Sequence, residues 1–156
     1  MSAQTTYDVY KDKRGIHGSL YDLNPSEITS GCAEGDIPFG VAVSRGTNEQ
    51  QILAGGVDAD IIGVSIRDLG KSTLTIGDSA TQIDDTEMGS VLRSGYINVK
   101  ITTGTADAGA QAKVDVTTGE IVGSSEAVAG DVVLLTDGYF EKGSANGEVA
   151  VLRFKK

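Results

Sequence analysis

The sequence consists largely of short apolar runs separated by glycine-containing turns. From Pro38 onward these runs occupy residues 39–43, 61–66, 72–76, 88–101, 111–116, 120–123, 131–135 and 148–154. They are rich in valine and isoleucine, whose branched side chains suit a pleated strand, and most are too short for a helix of several turns. The 21 glycines supply the turns between the runs. The pattern predicts an all-β protein.

The spacing of the runs indicates the architecture. They recur about every 8–15 residues, which is typical of a β-sandwich or a small barrel. We therefore predict a single compact β-sandwich or small barrel, jelly-roll-like, over residues 37–156. Residues 1–36 show weak apolar periodicity and hold three of the five tyrosines. We predict that they form an extended N-terminal arm, mostly loop between residues 19 and 36.

Two strands can be described further from their side-chain patterns. Apolar and polar residues alternate from Ile97 to Ile101, so the polar pair Asn98 and Lys100 is expected on the face away from the core. The run 148–154 is apolar on both faces through most of its length, so it is expected either to be central in a sheet or to have its second face covered. Ser94 and Gly95 predict a bulge or turn within 88–101.

Composition excludes several classes of protein. A net charge of −9 would repel a phosphate backbone, so we expect no nucleic-acid partner. No run approaches the roughly 20 apolar residues of a membrane span, and the N-terminus lacks a continuous apolar signal region. We expect a soluble protein made in a cytosol, with no membrane partner. The 39% of hydrophobic residues are sufficient for a core.

Residues suited to catalysis are scarce. His17 is the sole histidine and lies in the predicted arm, which is a poor place for a preorganised base. Cys32 is the sole cysteine, without a neighbouring histidine or lysine, and is expected to be a small packing residue or an inert exposed thiol. Asp84, Asp85 and Glu87 form the densest acidic group but lack the spacing of a calcium loop, so we expect a solvated loop. We predict no enzyme activity, no cofactor and no metal.

Two local motifs resemble known binding sites. Residues 65–72, SIRDLGKS, approach a phosphate-binding loop, but Ser65 replaces the first glycine and a β-branched run follows where a helix is required. Residues 54–63, AGGVDADIIG, resemble the uracil-binding motif of trimeric dUTP pyrophosphatases, in which an aspartate activates water. The other signatures of that family are missing, and we expect Asp58 and Asp60 to lie in an exposed hairpin turn.

A longer resemblance runs through the chain in five pieces: GSLYDLNPSEITS at 18–30, IPFGVAVSRGT at 37–47, IIGVSI at 61–66, VLRSGYINV at 91–99 and AKVDVTTG at 112–119. Together they resemble the structural cement protein family of tailed bacteriophages. That family carries a similar arm followed by the pattern F-G-x-x-V-x-x-G-T. The resemblance implies a non-enzymatic capsid decoration protein on the outer capsid surface of the virion.

The resemblance also implies partners and a mode of action. The protein would bind the outside of the expanded phage head, bridge subunits of the major capsid protein, and stabilise the shell against DNA pressure. It would act as a homo-oligomer, either a trimer or a dimer, and gain affinity from several weak contacts. Aromatic residues and proline in an otherwise polar arm predict interface anchors at Tyr7, Tyr10, Tyr21, Leu23 and Pro25. An arm folded back on its own domain is the alternative.

Two other functions remain open from the residues alone. One is a tail or fibre adhesin module that binds host surface glycan, although the chain has no tryptophan and only three phenylalanines for an aromatic platform. The other is a trimer similar to dUTP pyrophosphatase, which would depend on Asp58.

Overall fold

The computed structural model describes residues 15–21, 25–68 and 82–156. Within these ranges the regular structure is β, apart from a 3-10 turn at Asp58–Asp60. The prediction of an all-β fold with a small barrel is confirmed. The strands are β1 (Glu27–Ala33), β2 (Ile37–Pro38), β3 (Ala42–Arg45), β4 (Gln51–Ala54), β5 (Ile61–Ser65), β6 (Gln82–Ile83), β7 (Met88–Lys100), β8 (Gln111–Asp115), β9 (Ile121–Val122), β10 (Val132–Lys142) and β11 (Val149–Lys155).

Strand β7 joins the two parts of the fold. The main sheet has the order β1-β4-β3-β5-β7-β11-β10-β8-β9, and β1 also pairs with β7. This second pairing closes a barrel that consists of β1, β4, β3, β5 and β7. The rest of the sheet extends from the C-terminal half of β7 in the order β11, β10, β8 and β9. Strands β2 and β6 pair separately as a short ribbon. The predicted central position of the last strand is confirmed, because β11 lies between β7 and β10.

The alternation of side chains produces two hydrophobic clusters. One lies beneath the extended sheet and contains Ile97, Leu152 and Phe140, which are cross-strand neighbours and at most 1% exposed. The other contains Phe39 and Ile52, together with residues of the barrel strands, of the β2–β6 ribbon and of the connection from β2 to β3. The predicted irregularity near Ser94 and Gly95 is present, because the pairing of β1 with β7 skips Arg93.

The chain between residues 19 and 36 differs from the predicted loop. Residues Glu27–Ala33 form β1, which pairs antiparallel with β7 and parallel with β4. The segment EITSGCA has too few large apolar residues to predict a strand by pattern. Gly31 explains part of this composition, since a Cβ there would lie 2.5 Å from the Ile52 side chain. The strand forms because its long-range partners pack closely against it.

Strand β10 is longer than the predicted run at 131–135. It continues to Lys142 through the sequence Thr136-Asp137-Gly138, which resembles a turn. The register against β8 jumps between Leu134 and Tyr139, so these residues form an irregular bulge and the strand then resumes. The predicted run at 72–76 lies outside the described residues.

Candidate interaction surface

The middle of the predicted arm, residues 15–21, is hydrogen-bonded to β7. The Gly18 amide donates to the Asn98 carbonyl at 2.7 Å, the Asn98 amide to the Ser19 carbonyl at 2.9 Å, and the Tyr21 amide to the Tyr96 carbonyl at 3.0 Å. Since β11 also pairs with residues 96–98, the two neighbours occupy opposite edges of β7. Residues 18–21 therefore lie along this edge of β7, with one isolated β-bridge between Leu20 and Ile97.

This segment explains an unexpected burial. Asn98, expected on the exposed face, is 1% exposed. Its side-chain nitrogen donates to the carbonyl of Ser19 at 3.2 Å and to the Ser19 hydroxyl at 3.1 Å. A Cβ on Gly15 would lie 2.4 Å from the same nitrogen, so the chain passes directly over this side chain. Asn98 is thus covered by residues 15–19 and hydrogen-bonded to them.

His17 is held in the same segment as a hydrogen-bond acceptor. Its Nδ1 accepts the Lys100 amide at 2.8 Å. A Cβ on Gly40 would lie 2.4 Å from Cε1, so a glycine is needed where the chain passes the ring. Burial lowers the pKa of His17 from its ordinary 6.5 to about 4, and the charges of Lys100 and Arg67 add to this effect. The imidazole is therefore neutral at pH 7.

Protonation of His17 is expected to release this segment. The neutral ring is favoured in the folded protein. The contribution of His17 to stability is therefore fully present above pH 6.5 and is lost as the pH falls toward about 4. At about 1.4 kcal/mol per pH unit the loss reaches at most about 3 kcal/mol. A proton NMR titration of this single histidine should give a midpoint near 4. The Lys100 amide resonance should follow it.

The variant His17→Gln is the control for this titration. Its amide oxygen can accept the same hydrogen bond without titrating, so the Lys100 amide should lose its step in the acid range. A His17 midpoint at the ordinary value of 6.5 would contradict the buried acceptor role.

Tyr21 lies against its own sheet. The ammonium of Lys142 on β10 lies 4.8 Å from the centroid of the Tyr21 ring and donates to the phenolic oxygen. The ring thus extends from the edge of β7 toward β10, and the side chain remains 40% exposed. Of the other predicted anchors, Pro25 is exposed. Tyr7, Tyr10 and Leu23 lie outside the described residues.

Tyr21 belongs to a larger surface formed by the outward side chains of the extended sheet. Tyr96 on β7 is opposite Arg153 on β11, and Arg153 is opposite Tyr139 on β10. Directly paired residues point to the same face, and Tyr139 is 47% exposed there. We call this surface the tyrosine face; it consists of Tyr21, Tyr96, Lys100, Tyr139, Lys142, Arg153 and Lys155.

Asp58 makes a structural contact with Thr136. Its two carboxylate oxygens accept hydrogen bonds from Thr136, one from the amide at 2.7 Å and one from the hydroxyl at 2.5 Å. Thr136 lies in the β10 bulge, so the aspartate from the 3-10 turn fastens the bulge to the barrel. This contact accounts for Asp58 without a water-activating role. Sequence reasoning missed it because the partners are 78 residues apart.

The acidic loops are also bonded internally. The Gly35 amide donates to Asp85 at 2.8 Å, and the Asp85 amide donates to Asp36 at 3.0 Å. Glu34 accepts both the amide and the hydroxyl of Thr47, and these bonds lower the pKa of Glu34. Among the residues that the structure describes, no group of three histidine, cysteine, aspartate or glutamate side chains is placed to hold a metal ion.

The remaining candidates have structural contacts. Ser65, the first residue of the phosphate-loop resemblance, is buried, and its hydroxyl donates to the Pro38 carbonyl at 2.7 Å. Residues 69–72 of that motif lie outside the described ranges. Cys32 is partly buried, with its thiol 3.3 Å from the Thr86 carbonyl. In the described ranges no helical segment has the length and apolarity that a membrane crossing requires.

The fold and its surface define an all-β module. The chain matches the model of a family described as structural cement protein (E217 gp24/Pam3 gp6) over residues 3–155. Since the match spans nearly the whole sequence, the chain belongs to this family of phage structural proteins. The resemblance noted from the five sequence pieces is confirmed.

Two solved phage structures are similar to this chain to different degrees. The chain is similar to one in the capsid of Myoviridae phage XM1, with 15% identity, 90% of each chain covered and a TM-score of 0.68. It is also similar to the head fibre gp8.5 N base of bacteriophage phi29, with 11% identity, 84% of this chain and 95% of that chain covered, and a TM-score of 0.45. No curated protein matches the sequence.

Proposed function

We propose that this protein is a non-enzymatic cement protein of the outer capsid surface. It binds the expanded phage head, bridges subunits of the major capsid protein and stabilises the shell against DNA pressure. The observation that carries the proposal is the family match over residues 3–155. The contacts of Asp58, Ser65 and His17 support it, since these three residues, considered for chemistry from the sequence, each make a structural contact.

The architecture is suited to such a role. A barrel and a sheet that share one long strand form a rigid body, and a rigid body loses little conformational freedom when it binds. We propose that it acts as a homo-oligomer, a trimer or a dimer, and that several modest contacts combine into tight binding. Such a molecule would discriminate between shells, because its sites align with only one spacing of capsid subunits.

The predicted arm also enters this proposal. We propose that residues 1–36 contribute contacts to the shell, with Tyr7, Tyr10, Tyr21, Leu23 and Pro25 as anchors, beside the domain at 37–156. Residues 27–33 form β1 of the main sheet, so the contribution to binding would come from the chain before them. Truncation before Gly15 leaves the described contacts of residues 15–21 intact and would test this contribution separately.

The test is sedimentation of the purified protein with phage heads. Expanded capsids stripped of the protein and unexpanded precursor shells are compared, and the loaded particles are then heated. We expect saturable binding to expanded shells only and a higher disruption temperature for loaded particles. Failure to bind either shell would refute the proposal, and glycan binding would become the next function to test.

A further inference from the structure

The tyrosine face carries positive charge in a protein that is acidic as a whole. The chain has a net charge of −9, yet this surface presents Lys100, Lys142, Arg153 and Lys155 on three adjacent strands. Within the described residues, neither Arg153 nor Lys155 forms an ion pair. Their charges are therefore available to a partner.

The tyrosine face also contains a groove and exposed aromatic side chains. A groove of about 240 Å³ lies beside Tyr139 and is lined by Thr136, Asp137, Arg153 and Lys155. Tyr139 is 47% exposed and Tyr21 is 40% exposed. Tyrosine and arginine are enriched at protein interfaces, because each offers a large contact area together with a hydrogen-bonding group. The combination is typical of a protein-binding surface.

The charge indicates the chemistry of the partner. Lysine and arginine beside tyrosines favour carboxylates, and complementary potential accelerates and orients docking. Nucleic acid is disfavoured by the overall negative charge. Charge complementarity therefore favours a carboxylate-bearing protein surface, which under the proposed function is that of the capsid subunit on which the protein docks.

We propose that the tyrosine face docks on an acidic surface of the major capsid protein, with Arg153 and Tyr139 at the centre of the contact. This inference rests on the proposed function and adds which face binds and what chemistry it recognises. Arg153 lies between Tyr96 and Tyr139, so its guanidinium can pair with a carboxylate while the rings cover the contact from water. Tyr21 and Lys142 extend the same surface toward the arm.

The test compares charge reversals of equal size at two places. Arg153→Glu changes the tyrosine face, and Arg45→Glu changes an exposed arginine at the end of β3. We expect Arg153→Glu to weaken binding to nuclease-treated expanded capsids by about tenfold or more, and Arg45→Glu by less than about twofold. Raising the salt concentration from about 0.05 M to about 0.5 M should weaken the wild type more than Arg153→Glu. Equal melting temperatures would show that both variants are folded.

A second pair of variants tests the aromatic contact. Tyr139→Ala should weaken capsid binding by about tenfold, because it removes a central aromatic side chain. Met88→Ala removes a 64% exposed side chain at the start of β7, away from this face, and should leave binding unchanged. If the wild type binds and Arg153→Glu and Tyr139→Ala bind equally well, the inference is wrong while the proposed function stands. If the wild type does not bind, the proposed function itself fails.

Self-association is a third outcome, measured by analytical ultracentrifugation. If Arg153→Glu dissociates the protein's own oligomer and leaves capsid affinity unchanged per subunit, the tyrosine face joins copies of this chain. That result would overturn the proposed partner.

Discussion

Replacement of Phe140 by alanine should lower the free energy of unfolding by about 4 kcal/mol, since large aromatic core truncations cost about 3–5 kcal/mol. Phe140 is 1% exposed and lies opposite Leu152 in the cluster beneath the extended sheet. Its amide and carbonyl also bond to the chain at Ala110 and Gly109. The cavity would therefore open where β10 meets the segment before β8. Urea unfolding monitored by circular dichroism gives the value.

The adjacent residue is the natural control for this experiment. Tyr139 is on the same strand but points to the opposite face and is 47% exposed. Tyr139→Ala should cost about 1 kcal/mol or less, because it leaves no enclosed cavity. A similar loss of stability in both variants would contradict the assignment of faces on β10. It would also remove Tyr139→Ala as a clean test of capsid binding.

Gly119→Ala is the second substitution with a large expected effect. Gly119 has φ of 76°, and a Cβ there would lie 2.3 Å from the Ala42 carbonyl oxygen and 2.6 Å from the Gly55 nitrogen. Its own carbonyl accepts the Ala42 amide at 2.7 Å. Because these atoms belong to the main chain of three separate segments, no side-chain rotation can relieve the overlap. This contact joins the turn after β8 to the barrel.

We expect Gly119→Ala to destabilise the protein by about 3 kcal/mol or more, since left-handed strain of about 1–2 kcal/mol adds to the backbone overlap. Gly147→Ala is the matched control, because Gly147 has φ of 81° and a Cβ there would meet no atom within 4 Å. This variant should lower the free energy of unfolding by about 1 kcal/mol, which is the cost of the left-handed backbone conformation alone. Equal losses on thermal and urea unfolding would show that close approach at Gly119 is not important.

The local pattern of apolar and polar residues was sufficient to predict the fold class. Alternation from Ile97 to Ile101 and the doubly apolar run ending at Phe154 predicted a sheet strand and a central strand, and both are present. The limits of pattern are visible in β1 and in the second half of β10. Strand β1 lacks large apolar residues, and the sequence Thr136-Asp137-Gly138 has the composition of a turn. Each becomes strand through partners that a local window does not contain.

The candidate surface shows the same division more sharply. The place of Tyr21 in a polar segment was the reason to predict it as an anchor. The short runs with their glycine turns were sufficient to predict an all-β protein, because strand alternation and turn preference act over a few residues. The position of Tyr21 depends on Lys142, which is 121 residues away. Burial in the folded protein, with a further effect of the Lys100 charge, lowers the pKa of His17 and keeps the ring neutral. The structural contact of Asp58 depends on Thr136. Burial, charge and hydrogen bonds between distant segments arise only when the chain closes on itself, so the folded structure was needed to assign them.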